Sequence, residues 1–134
     1  MADGLVLNQK YKLHSSDNFD EFMKALGVGL MTRKMGNTVS PVIELTENSG
    51  EYTLTSNSTF KNTAIKFRLG EEFEEETPDG RKVKSIITQD GNKLIHIQKG
   101  AKESKIIREF TNDEVKMLLT VDDITCTRVY KAVQ

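Results

Sequence analysis

Arg81-Lys82-Val83-Lys84-Ser85-Ile86-Ile87-Thr88-Gln89-Asp90-Gly91-Asn92-Lys93-Leu94-Ile95-His96-Ile97-Gln98-Lys99 decides the fold. Two runs rich in β-branched and apolar residues, 81–89 and 93–99, flank Asp90-Gly91-Asn92. Asn and Asp tolerate the left-handed backbone of a tight turn and Gly adopts it freely, so the segment predicts a β-hairpin. The same grammar extends on both sides. Strands are predicted at 41–48, 51–57, 61–69, 72–76, 104–111, 114–121 and 124–132, and an earlier one near 7–14. Asn48-Ser49-Gly50, Pro78-Asp79-Gly80, Thr111-Asn112-Asp113 and Asp122-Asp123 mark breaks between them. Short strands with turn signals at such intervals predict an antiparallel sandwich or barrel, and consecutive hairpins favour up-and-down order. The expected fold class is all-β: a ten-stranded antiparallel up-and-down barrel, in one domain spanning 1–134.

One stretch departs from this pattern. Ser15-Ser16-Asp17-Asn18 offers helix caps, and Phe19, Phe22, Met23 and Leu26 then fall on one helical face. After Gly27, residues Val28 to Met35 suggest a second short helix ended at Gly36-Asn37. Inserted between the first two strands, the pair reads as a lid. Two helices joined by a glycine also describe a DNA-reading unit, but the surrounding chain is all strand and not basic.

The 134 residues suffice for one packed domain. With 19 basic and 20 acidic residues the net charge is −1, which gives no electrostatic argument for a nucleic-acid partner. One cysteine precludes an internal disulfide and a Cys-based metal cage. Met1-Ala2-Asp3 lacks both a secretory leader and the second-position glycine of a myristoylation signal, and no apolar run reaches a membrane span. The expectation is a monomeric cytoplasmic protein without metal or cofactor. His14, His96 and Cys126 have no partner at a diagnostic catalytic spacing, and no phosphate loop is present, so no enzyme is expected.

Ser85, Thr88, Gln89, Gln98, Arg108, Thr120 and Cys126 scatter polar groups through strand interiors. Such residues suit a wet cavity better than a dry core, and a barrel of about ten strands is too wide for side chains to fill. In Thr125-Cys126-Thr127-Arg128-Val129-Tyr130-Lys131, Arg128 and Tyr130 share one face of a strand with Cys126. If that face is outward, the pair meets water. If it is inward, a buried guanidinium requires an anion, from the protein or from a ligand. Arg108, central in its own strand, poses the same choice. It either joins Arg128 and Tyr130 around a carboxylate or pairs on the outside with an acid such as Glu74 or Glu75.

Several segments, in order along the whole chain, resemble the intracellular fatty-acid-binding protein family, particularly its muscle/heart-type branch with arthropod members. Asn18 to Gly29 is similar to the family's first helix. Ser58-Thr59-Phe60-Lys61-Asn62-Thr63 resembles its portal turn. Phe67 to Phe73 and Gly80 to Ser85 resemble its middle strands, and Ile107-Arg108-Glu109 with Thr127-Arg128-Val129-Tyr130 its carboxylate-binding strands. The resemblance implies a ten-stranded β-clam whose water-filled cavity binds one long-chain fatty acid. It further implies that Arg128 and Tyr130 hold the carboxylate, that Arg108 helps directly or through water, and that Phe19 and Phe60 touch the tail. Met23, Val28, Ser56 and Asp79 would line cavity or portal. Retinoic acid, also a hydrophobic carboxylate, is the alternative cargo. Lys24, Arg33 and Lys34 on the lid would touch anionic membranes during transfer, and lid cations of this kind imply passage into the nucleus for some members. Gln9-Lys10-Tyr11 departs from the family's Gly and Trp there, and Leu30-Met31 is unusual in size.

Overall fold

A computed structural model describes residues 4–134; the reading of Met1-Ala2-Asp3 lies outside the described residues. Ten strands are present: β1 (Lys10–Asp17), β2 (Val42–Asn48), β3 (Glu51–Asn57), β4 (Asn62–Phe67), β5 (Phe73–Glu76), β6 (Lys82–Asp90), β7 (Lys93–Lys99), β8 (Glu103–Phe110), β9 (Glu114–Val121) and β10 (Ile124–Val133). Two helices, α1 (Phe19–Ala25) and α2 (Leu30–Thr38), separate β1 from β2. The sheet order is β4-β3-β2-β1-β10-β9-β8-β7-β6-β5, with antiparallel pairing throughout. Pairing of β1 with β10 rolls the sheet into a nearly closed barrel. Only β4 and β5, its two edges, are unpaired with each other.

The opening hairpin forms as expected, with Asp90↔Lys93 as its last pair and Gly91 at φ 60° in the turn. The first strand differs. It starts at Lys10 and runs to Asp17, because Ser15, Ser16 and Asp17 pair with Val129, Arg128 and Thr127 beyond an irregularity at Leu13/Ser15. These polar residues are therefore ladder rather than cap. Asn18 begins α1 in a left-handed conformation, and its side chain donates to the Thr125 carbonyl at 3.0 Å, which pins the helix start to β10.

The second helix also differs. Val28 precedes it, with its N–H on the Met23 carbonyl, and Gly36 and Asn37 lie inside it. Gly36 serves close packing rather than termination. A Cβ there would stand 3.1 Å from Met23 Sδ and 3.5 Å from Phe19, so the missing side chain lets α2 approach α1. Arg33 completes the join, donating to Asp20 at 3.1 Å and to the Val28 carbonyl at 2.7 Å.

Burial alternates cleanly in β6 to β10. Ser85, Gln98, Arg108 and Cys126 are buried, as a polar interior demands. Thr88 instead is exposed, Thr120 lies on the opposite side of β9 from buried Leu119, and Gln89 bonds the Gly91 carbonyl at the strand's end. The end of the barrel away from the lid is filled by side chains. Tyr11, Leu94, Phe110 and Val115 pack there, Tyr11 and Phe110 edge to face at 6.3 Å. Tyr11 is an aromatic with a polar tip, and its hydroxyl donates to the Thr111 carbonyl at 2.7 Å.

Candidate functional site

Between the lid and this packed floor lies a cavity of about 210 Å³. Arg108, Arg128, Tyr130, Phe19, Met23, Val28, Ser56, Phe60 and Asp79 all line it. The strand ladder explains the first three. Arg108 on β8 and Arg128 on β10 both pair with Met117 on β9. They stand in one inward row, two strand spacings or about 9.5 Å apart across the sheet. Tyr130 follows Arg128 by two residues and faces the same way.

The two arginines have different surroundings. Arg108 donates through one terminal nitrogen to His96 Nδ1 at 3.0 Å, while His96 Nε2 lies 2.9 Å from Glu75 Oε1. A guanidinium has only donors, so Nδ1 must accept; Nε2 then carries the ring's proton and donates to the carboxylate. Ser85 donates to the same Glu75 oxygen at 2.8 Å, and Gln98 to both oxygens at 3.2 Å. Ser104 donates to Gln98 Oε1 at 3.0 Å, which fixes that amide's orientation. The whole group is buried. Burial alone would raise the Glu75 pKa, but the hydrogen bond and electrostatic attraction from His96, with the hydrogen bonds from Ser85 and Gln98, win and bring it down to about 2. Burial also pushes His96 below its ordinary value, with Glu75 opposing and Arg108 assisting.

Sequence alone leaves Glu75 as an external partner for Arg108 and gives His96 no diagnostic partner. In the fold Glu75 is internal. Phe73-Glu74-Glu75-Glu76 alternates, so Phe73 and Glu75 face in while Glu74 and Glu76 face out. Strand alternation through that acidic run was the available signal. The anion for Arg108 is thus supplied by the protein, through a neutral histidine.

Arg128 has no such answer. It is 4 % exposed, and among the described residues no carboxylate or carbonyl accepts from its guanidinium. Phe19 from α1 lies flat against it, 3.8 Å from guanidinium carbon to ring centroid, and Tyr130 is 5.9 Å away. A ring face offsets some charge but is no substitute for an anion. Among the described residues, the buried Nε atoms of Arg108 and Arg128 have no acceptor.

At the opposite rim, Asp79 holds the β5–β6 turn. It accepts from Thr77 Oγ1 at 2.7 Å and from Arg81 Nε at 2.6 Å, so its carboxylate is committed. Phe60, in the β3–β4 turn, is partly exposed, and Leu30, Met31 and Met35 of α2 are exposed as well. Lys24 and Lys34 are exposed; Arg33 is half-buried and occupied by Asp20 and Val28. A second, polar cleft between β1, α1 and α2 reaches Arg128 from outside, past Ser16, Asn18 and Asn37.

Cys126 is wholly buried, and burial pushes its thiol up to about 11, the opposite of an activated nucleophile. Among the described residues no three His, Cys, Asp or Glu side chains are grouped to hold a metal, and no helix is long and apolar enough to cross a membrane.

Residues 8–133 match the model of the lipocalin / cytosolic fatty-acid binding protein family. The muscle fatty acid-binding protein of Schistocerca gregaria is 55 % identical over 92 % of this chain and 93 % of its own. The crystal structure of the fatty acid-binding protein in brain tissue of Drosophila melanogaster is 60 % identical with a TM-score of 0.90, covering 94 % of this chain and 98 % of that one. The Schistosoma mansoni fatty acid binding protein in complex with arachidonic acid is 42 % identical with a TM-score of 0.91, covering 93 % and 94 %.

Proposed function

The chain belongs to the lipocalin / cytosolic fatty-acid binding protein family, and on that premise we propose that it carries a long-chain fatty acid, carboxylate inward against Arg128 and Tyr130. The observation that carries the reading is the unanswered guanidinium. Arg128 is buried, faces a cavity walled mainly by apolar side chains, and meets no carboxylate among the described residues. A ligand that brings one carboxylate and a hydrocarbon tail satisfies both features.

The tail supplies most of the affinity. At about 0.8 kcal/mol per buried CH2, sixteen carbons are worth on the order of 12 kcal/mol before ordering and residual water are subtracted. The head group supplies orientation and selection for an acid. Phe19, Met23 and Val28 from the lid, Ser56 from β3 and Phe60 from its turn surround the tail; Asp79 shapes the portal turn instead of touching the chain. Arg108 acts at longer range, since His96 engages it.

The reading takes the protein as a monomeric, non-enzymatic carrier in the cytoplasm, delivering its cargo to membranes or enzymes and able to pass into the nucleus. Exposed Leu30, Met31 and Phe60 beside Lys24 and Lys34 support a transient contact of the lid with anionic membranes. Arg33 contributes to lid structure instead. Calorimetric titration of a long-chain fatty acid and its matched alcohol into wild type and Arg128→Gln tests the core of the proposal. The acid should lose about 10- to 100-fold in affinity, the range of one charged hydrogen bond, and the alcohol little. Equal losses would remove Arg128 from the head-group site.

A further inference from the structure

Among the described residues, the buried acidic and basic side chains are Glu75, His96, Arg108 and Arg128. The hydrogen-bond directions fix their charges. Arg108 can only donate to His96 Nδ1, so the imidazole is neutral and its Nε2–H points at Glu75. Glu75 accepts from His96, Ser85 and Gln98 and has no proton to donate to any of them. Arg108 and Glu75 therefore cancel through His96, and among these buried groups Arg128 alone is uncompensated; exposed Lys61 and Glu76 also line the cavity, with opposite charges. At the rim Asp79 and Arg81 pair with each other.

We propose that Glu75 and His96 are specificity-determining residues that set the interior to one uncompensated positive charge and so select a singly charged head group. The proposal rests on the carrier reading and deepens it. Glu75 lines the same cavity as Arg128, so its charge acts on whatever head group arrives there and repels a second negative charge. His96 ties one terminal nitrogen of Arg108 into the chain that ends at Glu75, so Arg108 adds no uncompensated charge for the ligand. A carboxylate neutralises the interior; an alkyl phosphate, with up to two charges near neutral pH, overshoots it.

The test compares hexadecanoate with hexadecyl phosphate in wild type, Glu75→Gln and Glu75→Asp. Wild type should prefer the carboxylate. Glu75→Gln should move the ratio of the two dissociation constants toward the phosphate by on the order of 10-fold, one partly screened Coulomb interaction. Glu75→Asp keeps the charge while disturbing the fit, and should keep the wild-type ratio. An unchanged ratio in Glu75→Gln, or an equal shift in Glu75→Asp, overturns the proposal. The ring nitrogen shifts of His96 in the wild-type protein at pH 7 provide a measurement independent of the variants' folding. The Nε2-protonated neutral tautomer is expected, and an imidazolium overturns the charge count. If wild type binds neither ligand, the carrier reading fails, while the histidine spectrum still decides the charge count.

Discussion

The two ends of the barrel obey different rules. At the floor, Tyr11, Leu94 and Val115 are fully buried and Phe110 nearly so, with rings and aliphatic chains in contact. At the lid, Leu30 is 57 % and Met31 74 % exposed, and α2 buries no residue at all. The floor is packed like any protein core, while the lid leaves apolar side chains in water and closes over open space. One chain thus places its cooperative stability away from its ligand cavity, and the cavity's cover is its least committed part.

The sharpest way to break that contrast is at the floor. Phe110→Ala should cost about 3–5 kcal/mol of stability by transfer and cavity terms, read by urea denaturation. A loss below about 1 kcal/mol would mean that the floor is not the anchor.

Acid attacks the wall between the two ends. His96 is depressed from 6.5 and Glu75 from 4.5 to about 2. Below pH 6.5 the unfolded chain binds a proton at His96 that the fold refuses, so stability falls as pH falls. Below about pH 4.5 Glu75 adds to the loss, which is complete only once pH has passed about 2. Urea midpoints from pH 7 to 3 should decline in these two stages, and His96→Gln should flatten the first.

The lid responds less. Gly36→Val puts bulk against Met23 and Phe19 and should cost about 1–2 kcal/mol by overpacking, while speeding fatty-acid release in stopped-flow displacement. Met31→Ser should leave stability within about 0.5 kcal/mol yet slow transfer to anionic vesicles; an unaltered rate would take Met31 out of the membrane contact.

Much of this was legible in the chain. Asp90-Gly91-Asn92 and its sister turns are local chemistry, and they located nine of the ten strands to within about two residues. Ser15 to Asp17 misled because cap residues and strand-end residues share composition; only pairing with Val129, Arg128 and Thr127 chooses between them. Gly36 misled because a glycine that ends a helix and one that admits a neighbour look alike in one dimension. Arg128 and Tyr130 could be placed on one face by period alone. Whether Arg108 had a partner could not be seen, because Glu75, His96 and Arg108 come from three strands and meet only when β5 to β8 are assembled in register.

Phe19 belongs to the first lid helix, yet its ring rests on the Arg128 guanidinium, the proposed head-group site. Lid position and head-group capture therefore share one variable. A carboxylate arriving at Arg128 would meet the in-plane N–H donors while the ring covers one face of the guanidinium, so α1 and the cargo would hold one cation together. Thermodynamic reciprocity then requires that a lipid surface which shifts α1 and the cargo alter each other's affinity by the same factor.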